Sequence, residues 1–61
     1  MKYYITYTCR NDKGAVVAQH DALDELFDSW SEARDAMEQH LEEFNSSCTI
    51  GVWRGIIKHL S

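Results

Sequence analysis

A single amphipathic segment constrains the fold of this chain more than any other feature. Side chains of low polarity recur from residue 33 at intervals of three and four, which places them in one stripe along a helix. The stripe comprises Ala33, Ala36, Met37, His40, Leu41 and Phe44. Such a stripe has to be buried against another element, and 61 residues provide for one small domain, residues 1–61. We therefore expect one helix packed on a sheet.

The start of the helix is marked by a capping box. Residues 29–32, Ser-Trp-Ser-Glu, match the motif in which the serine hydroxyl accepts an amide hydrogen bond and the glutamate reaches back. The spacing predicts a helix from Trp30 to about Phe44, ended by Asn45-Ser46-Ser47. Residues 21–28 can extend a strand, form a loop or add a turn of helix. We expect three apolar members of that segment to tuck under the domain edge: Leu23, Leu26 and Phe27.

The first 20 residues predict a β-hairpin. Residues 2–10 are rich in aromatic and β-branched types, and alternation puts Tyr3, Ile5, Tyr7 and Cys9 on one face. Residues 11–14, Asn-Asp-Lys-Gly, favour a turn, because Asn and Asp bond their own backbone and Gly accepts positive φ. Residues 15–20 then return as a second strand. A loop centred on Asp12-Lys13 predicts the pairs Cys9–Val16, Tyr7–Ala18, Ile5–His20, Thr8–Val17 and Thr6–Gln19.

Residues 48–60 predict the last strand. One face would carry Ile50, Val52, Arg54, Ile56, Lys58 and Leu60. Glycine under a helix permits close approach, so Gly51 and Gly55 favour the opposite face, with Trp53 and Ile57, as the core. The choice of face stays open, because a bulge at either glycine can swap the faces partway along the strand. The predicted fold is α+β in the order β-β-α-β. It has a three-stranded antiparallel sheet with one amphipathic helix across one face, and the strand order stays open.

Acidic residues are segregated along the chain. Nine of ten lie between residues 21 and 43, where Arg34 is the one base, so this segment carries −8. Five lysines and arginines against Asp12 leave the remainder at +4. The expected partner-binding face consists of Asp28, Glu32, Asp35, Glu38, Glu42 and Glu43. We expect this charge along one exposed helix, where it can dock on a basic protein surface or occupy a phosphate-binding site. The alternative is a solvated face that maintains solubility.

The sheet face turned away from the helix offers a second candidate surface, with Tyr4, Arg10, Arg54 and Lys58. Aromatic rings beside cations bind single strands by base stacking, so a small nucleic-acid-binding module is one alternative function. The simpler explanation is that lysine and arginine side chains at the sheet edge discourage aggregation, and the acidic half of the chain repels nucleic acid. If Ile50, Val52 and Ile56 share this face, a homodimer through the open sheet would cover them.

No group of residues predicts catalysis. The three histidines, His20, His40 and His59, and the two cysteines lack ligand spacings such as C-x-x-C. His40 is expected to be a packed, hydrogen-bonded core residue. Cys9 and His20 share a face but lack an orienting third group. We expect no enzyme activity, no cofactor and no metal. Cys9 and Cys48 are expected to be buried free thiols, with a Cys9–Cys48 disulfide as the alternative.

We expect no signal peptide, and the sequence contains no apolar run of about 20 residues, so we also expect a cytoplasmic protein without a membrane partner. Its size and charge resemble those of small phage and mobile-element accessory proteins, such as anti-CRISPR and anti-restriction inhibitors. No motif carries this resemblance. It implies a non-enzymatic inhibitor that acts as a nucleic-acid mimic and blocks a nucleic-acid-handling host system.

Overall fold

The protein is described by a computed structural model that covers residues 2–60. The elements follow in the order β1 (Lys2–Arg10), β2 (Val16–Phe27), α1 (Trp30–Ser47) and β3 (Val52–Leu60). The strands form one antiparallel sheet in the order β2-β1-β3, with α1 packed on it, mainly against β3. The predicted β-β-α-β fold is therefore confirmed, and β1 is the central strand.

The core lies between α1 and one face of the sheet. Ile5 and Tyr7 of β1 are each 1% exposed, and Ala22 and Ala33 complete the buried cluster. Full burial of Ile5 contributes roughly 1.5–3 kcal/mol. Trp53 and Ile57 of β3 are packed against this cluster. The face that the glycines favour is therefore the core face, which the sequence had left open.

Helix α1 buries the predicted stripe: Ala33 is fully buried, and the other five members are half-buried. The Ser29 hydroxyl caps the helix by accepting a hydrogen bond from the Glu32 amide at 3.2 Å. The helix continues three residues past the predicted end at Phe44. In this last turn the Ser46 and Ser47 hydroxyls donate hydrogen bonds to the Glu43 carbonyl, so both serines are accommodated within the helix.

Two glycines allow close contacts. A Cβ atom built on Gly55 would lie 2.6 Å from Met37 Sδ, so the missing side chain is what lets α1 approach β3. A Cβ atom on Gly51 would lie 2.3 Å from the Arg10 carbonyl oxygen. Gly51 belongs to residues 48–51, which connect α1 to β3 by bends, so β3 begins at Val52 and not at the predicted residue 48.

The hairpin register differs from the prediction by two residues. The observed pairs are Cys9–Ala18, Tyr7–His20, Ile5–Ala22, Thr8–Gln19 and Thr6–Asp21. The loop is longer than expected because the Asn11 side chain accepts hydrogen bonds from the amides of Lys13 and Ala15, each at 3.0 Å, while Gly14 adopts φ 81°. A register irregularity then separates the Arg10–Val16 and Cys9–Ala18 pairs. A two-residue shift keeps the alternation of faces, so the predicted core face of β1 is unaffected.

Strand β2 is longer than the predicted second strand. It runs through residues 21–27, so the strand extension is the alternative observed for this segment. Between the Ile5–Ala22 and Tyr3–Phe27 pairs, β2 contains three residues more than β1. This irregularity leaves Leu23 and Leu26 56% and 43% exposed, so the prediction that both tuck under the edge is wrong; Phe27 packs against the core.

Candidate functional site

The solvent side of α1 carries a row of carboxylates opposite the buried stripe. Its members are Glu32, Asp35, Glu38, Glu42 and Glu43, and all are exposed. At 3.6 residues per turn they occupy an arc of roughly 140° around the helix axis. We call these five residues the acidic helix face. The helical spacing in the sequence produces this face, because the acids recur out of phase with the apolar stripe.

Few bases offset the charge of the acidic helix face. Arg34 Nη2 lies 3.9 Å from Asp35 Oδ1, and the Arg34 guanidinium also stands over the Trp30 ring, 5.7 Å from its centroid. The last turn of α1 contains no base. Within residues 2–60, Lys2–Asp28 and Arg34–Asp35 are the ion pairs, so the remaining four carboxylates of the face have no cationic contact.

Asp28 differs from the other predicted partner-binding residues. It precedes the helix cap and forms an ion pair with Lys2 of β1. The Lys2 ammonium group, through its hydrogen bond and its charge, holds the pKa of the Asp28 carboxyl below its ordinary value. Asp28 therefore ties the start of α1 to the sheet and lies outside the acidic helix face.

Three further acids of the segment lie on strand β2: Asp21, Asp24 and Glu25. All three are exposed. The expectation that the acids gather along one helix thus holds for five of the nine residues. The others lie on β2 or before the cap, because residues 21–27 continue strand β2, which pairs with β1 at Asp21, Ala22 and Phe27.

The structure brings the four residues of the alternative surface together on the open face of the sheet. Tyr4 pairs with Lys58 and Thr8 pairs with Arg54 across β1 and β3, while Arg10 pairs with Val52. The Arg10 guanidinium donates a hydrogen bond to the Gly14 carbonyl at 2.8 Å. Arg10 and Arg54 also line a shallow pocket of 260 Å³. This face is therefore cationic, in contrast to α1.

Aliphatic side chains lie between these cations. Val52, Ile56 and Leu60 of β3 are 56%, 59% and 44% exposed and alternate with Arg54 and Lys58 along the strand. Asp21 opposes Thr6 on the other side of β1 and adds one negative charge. The open face is thus a mixed apolar and basic surface. It does not offer a row of aromatic rings on which nucleobases could stack. Tyr4 is the aromatic residue that strand alternation places on this face, and it is half-buried.

His20 and His59 lie on the helix side of the sheet but are exposed, and His40 is half-buried on the stripe of α1. His40 Nδ1 is 2.8 Å from the Tyr7 hydroxyl, which confirms His40 as a packed, hydrogen-bonded residue. His20 stacks on Tyr7 and His59 lies beside Tyr3, with ring centroids 6.3 and 5.1 Å apart. Among residues 2–60, no three His, Cys, Asp or Glu side chains are placed to hold a metal ion.

The two cysteines are free thiols, as predicted, but only Cys9 is fully buried. Their sulfur atoms lie 3.9 Å apart. Cys48 also lines a surface groove of 720 Å³ together with Arg10 and Arg54. Sequence reasoning missed this groove, because its walls come from three places: the end of β1 with the adjoining hairpin loop, the segment after α1, and the start of β3. The only sequence signal was the pair of cysteines.

No helix within residues 2–60 has the length and apolar character required to cross a bilayer. Comparison of the chain with protein-family models, curated proteins and solved structures finds no match.

Proposed function

We propose that this protein is a non-enzymatic interaction protein that docks its acidic helix face on a basic surface of a larger partner. This proposal is supported chiefly by the row of five exposed carboxylates. Within residues 2–60, Asp35 alone among them has a cationic neighbour. Like charges three and four residues apart destabilise a helix. A face that carries this cost and is not neutralised internally favours a role in binding.

The charge spacing indicates the kind of partner. From Glu32 to Glu43 the five carboxylates cover about 16 Å of helix axis, or one charge per about 4 Å. One strand of B-form DNA carries a phosphate per about 3.4 Å of axis. The similar linear charge density supports a partner that handles nucleic acid, whose phosphate-binding site the acidic helix face would occupy.

We also propose the biological setting that is implied by the resemblance in size and charge to phage and mobile-element accessory proteins. The protein would act in the cytoplasm as a phage or mobile-element accessory protein of the anti-CRISPR or anti-restriction type. Its association with the partner would be accelerated by long-range attraction and weakened by salt.

Affinity capture from the source cells tests the proposal with two matched variants. The first, Glu38→Gln/Glu42→Gln/Glu43→Gln, neutralises three carboxylates of the acidic helix face. The second, Asp21→Asn/Asp24→Asn/Glu25→Gln, removes the same number of charges from β2. We expect the unaltered protein and the β2 variant to capture the same basic, nucleic-acid-handling protein, and the helix variant to lose it. Undiminished capture by the helix variant would refute the proposal, as would the absence of any basic protein from the captured set.

The open sheet face favours a second candidate function, that of a structural homodimer subunit. The observation behind it is the exposure of Val52, Ile56 and Leu60, which a second copy would cover. Sedimentation equilibrium would then give a mass that rises above 7.1 kDa with concentration. Ile56→Lys should abolish this rise, whereas Trp30→Gln, which changes an exposed apolar residue on α1, should leave it intact.

The nucleic-acid-binding alternative is tested by a gel shift with single-stranded DNA and RNA at low salt. An acidic docking protein should not shift either strand. A shift that is weakened by Arg54→Ala or Tyr4→Ala would replace the acidic helix face with the open sheet as the functional surface.

A further inference from the structure

The segment after α1 brings two thiols together. Cys48 follows the last helical residue, and its sulfur lies 3.9 Å from that of Cys9 in the central strand. Gly51 makes this approach possible, because a Cβ atom there would lie 2.3 Å from the Arg10 carbonyl oxygen and 3.1 Å from Cys9 Sγ. Residues 48–51 are therefore held directly over the end of β1, and a small movement of this segment would bring the sulfur atoms to bonding distance.

The two thiols differ in accessibility. Cys9 has no exposed surface, whereas Cys48 is half-buried and lines the 720 Å³ groove. A reagent that enters from solvent therefore meets Cys48 first. Cys9 can react only with a sulfur atom that already lies within the protein, and Cys48 Sγ is the sulfur atom in contact with it.

The surroundings also favour the thiolate at Cys48. The nearby backbone amides of Ile50 and Gly51 hold the pKa of the Cys48 thiol below its ordinary value, although its partial burial and the negative end of the α1 dipole oppose ionisation. Burial raises the pKa of Cys9. The thiolate is the nucleophile in disulfide exchange, so the roles of attacking thiol and second thiol follow from position and environment alike.

The groove is suited to a small anionic molecule. Its volume of 720 Å³ is within the range of small-ligand sites, roughly 300–1,000 Å³. Arg10 and Arg54 line it, and Asp12 in the hairpin loop is the acid that accompanies them. Low-molecular-weight thiols of the glutathione type carry carboxylates that these guanidinium groups can pair with.

We infer that Cys48 is a thiol-modification site that reacts with a small anionic disulfide of the glutathione type and that Cys9 resolves the adduct. The Cys48 thiolate attacks one sulfur of the small disulfide, forms a mixed disulfide and releases one small thiolate. The Cys9 sulfur then attacks Cys48 Sγ, forms the Cys9–Cys48 bond and expels the second small thiolate, which takes up the Cys9 proton. Two protein thiols are oxidised and one small disulfide is reduced to two thiols.

The product would connect the end of α1 to the central strand. The bond closes a loop between residues 39 positions apart in the sequence. Closing a loop of this size restricts the unfolded chain, and in a domain this small we expect the Tm to rise by more than about 10 °C. Small disulfides of the glutathione type would in this way control the stability of the fold, independently of the acidic helix face.

Intact-mass spectrometry of the reduced protein with oxidised glutathione tests the assignment. The unaltered chain should gain one glutathionyl group transiently and end with the loss of two hydrogen atoms, with no thiol left to alkylate. Cys9→Ala should stop at a stable adduct, which fragmentation maps to Cys48. Cys48→Ala should stay unmodified over the same period, because Cys9 is buried. Adduct formation on Cys9 at a comparable rate would overturn the assignment, as would a persistent Cys48 adduct in the unaltered chain.

The anion specificity has a separate test that leaves both cysteines in place. Arg54→Gln should slow the reaction with oxidised glutathione roughly threefold, the factor expected for one water-screened charge pair at about 6 Å. The same variant should react normally with the neutral bis(2-hydroxyethyl) disulfide. Equal rates for the variant and the unaltered chain with oxidised glutathione would exclude the groove as the recognition element.

Discussion

Neutralising part of the acidic helix face should stabilise the fold while removing its proposed binding function. In Glu38→Gln/Glu42→Gln/Glu43→Gln, two like-charge contacts disappear, Asp35–Glu38 and Glu38–Glu42. Each contact costs about 0.2–0.5 kcal/mol. Removing Glu42 and Glu43 from the C-terminal half of α1 adds a few tenths through the helix dipole. Gln and Glu have similar helix propensities, so little is lost in exchange.

The expected gain is about 0.5–1.5 kcal/mol in the free energy of unfolding. A domain of 61 residues has a total of about 3–9 kcal/mol, so the gain is measurable. It corresponds to an increase in Tm of about 4–8 °C per kcal/mol. Urea unfolding followed by circular dichroism at low salt would measure it. At 1 M salt the gain should vanish, since the screening length falls to about 3 Å.

The β2 variant Asp21→Asn/Asp24→Asn/Glu25→Gln provides the control, because it has the same net charge. Its stability should change by less than about 0.5 kcal/mol, as expected for exposed substitutions. An equal gain in both variants would show that overall charge, and not local repulsion along α1, sets the effect. A helix variant no more stable than the unaltered chain at low salt would refute the reasoning.

Three further predictions concern the core and the helix start. Gly55→Ala should lower stability by about 1 kcal/mol, because the new methyl group meets Met37, and Met37→Ala should cost less in that background than in the unaltered chain, as measured by a double-mutant cycle. Burial, with a smaller contribution from the charge of Glu25, raises the pKa of Tyr7 to about 12. The unfolded chain thus loses this proton from about pH 10 upward, before the folded protein does. The free energy of unfolding should therefore fall between pH 10 and 12, and the stability difference from Tyr7→Phe should shrink over that interval in urea titrations. Ser29→Ala removes the cap and should cost about 1 kcal/mol by thermal unfolding.

Features that depend on neighbouring residues could be predicted from the sequence. The stripe on α1 and the cap at Ser29 follow from spacing alone, and both are confirmed. Gly51 and Gly55 favoured the observed core face of β3 without fixing it, because a missing side chain permits another element to come close. The acidic helix face is predictable for the same reason as the stripe, since both depend on the helical period.

Features that depend on how strands pair and how separate segments meet could not be predicted. The strand order β2-β1-β3 places β3, which is distant in the sequence, beside β1. The sequence left the extension of β2 through residues 21–27 as one of three alternatives, because acidic residues are poor strand formers and the pairing of Asp21, Ala22 and Phe27 with β1 is not visible in the sequence. The hairpin register depended on the hydrogen bonds of one side chain, Asn11, that lengthen the loop. The groove at Cys48 required knowledge of how three separate segments meet.

The central position of β1 has a consequence for how the chain acquires its structure. Its pairing with β2 joins residues close in the sequence, whereas its pairing with β3 joins residues 42 positions apart at Arg10–Val52 and 58 apart at Lys2–Leu60. Pairing over such separations slows folding, because the connecting chain has to be ordered first. On a ribosome, the hairpin would therefore emerge and form early with one side of β1 unpaired. This unpaired strand edge would bind other nascent chains or chaperones until β3 is synthesised and pairs with β1.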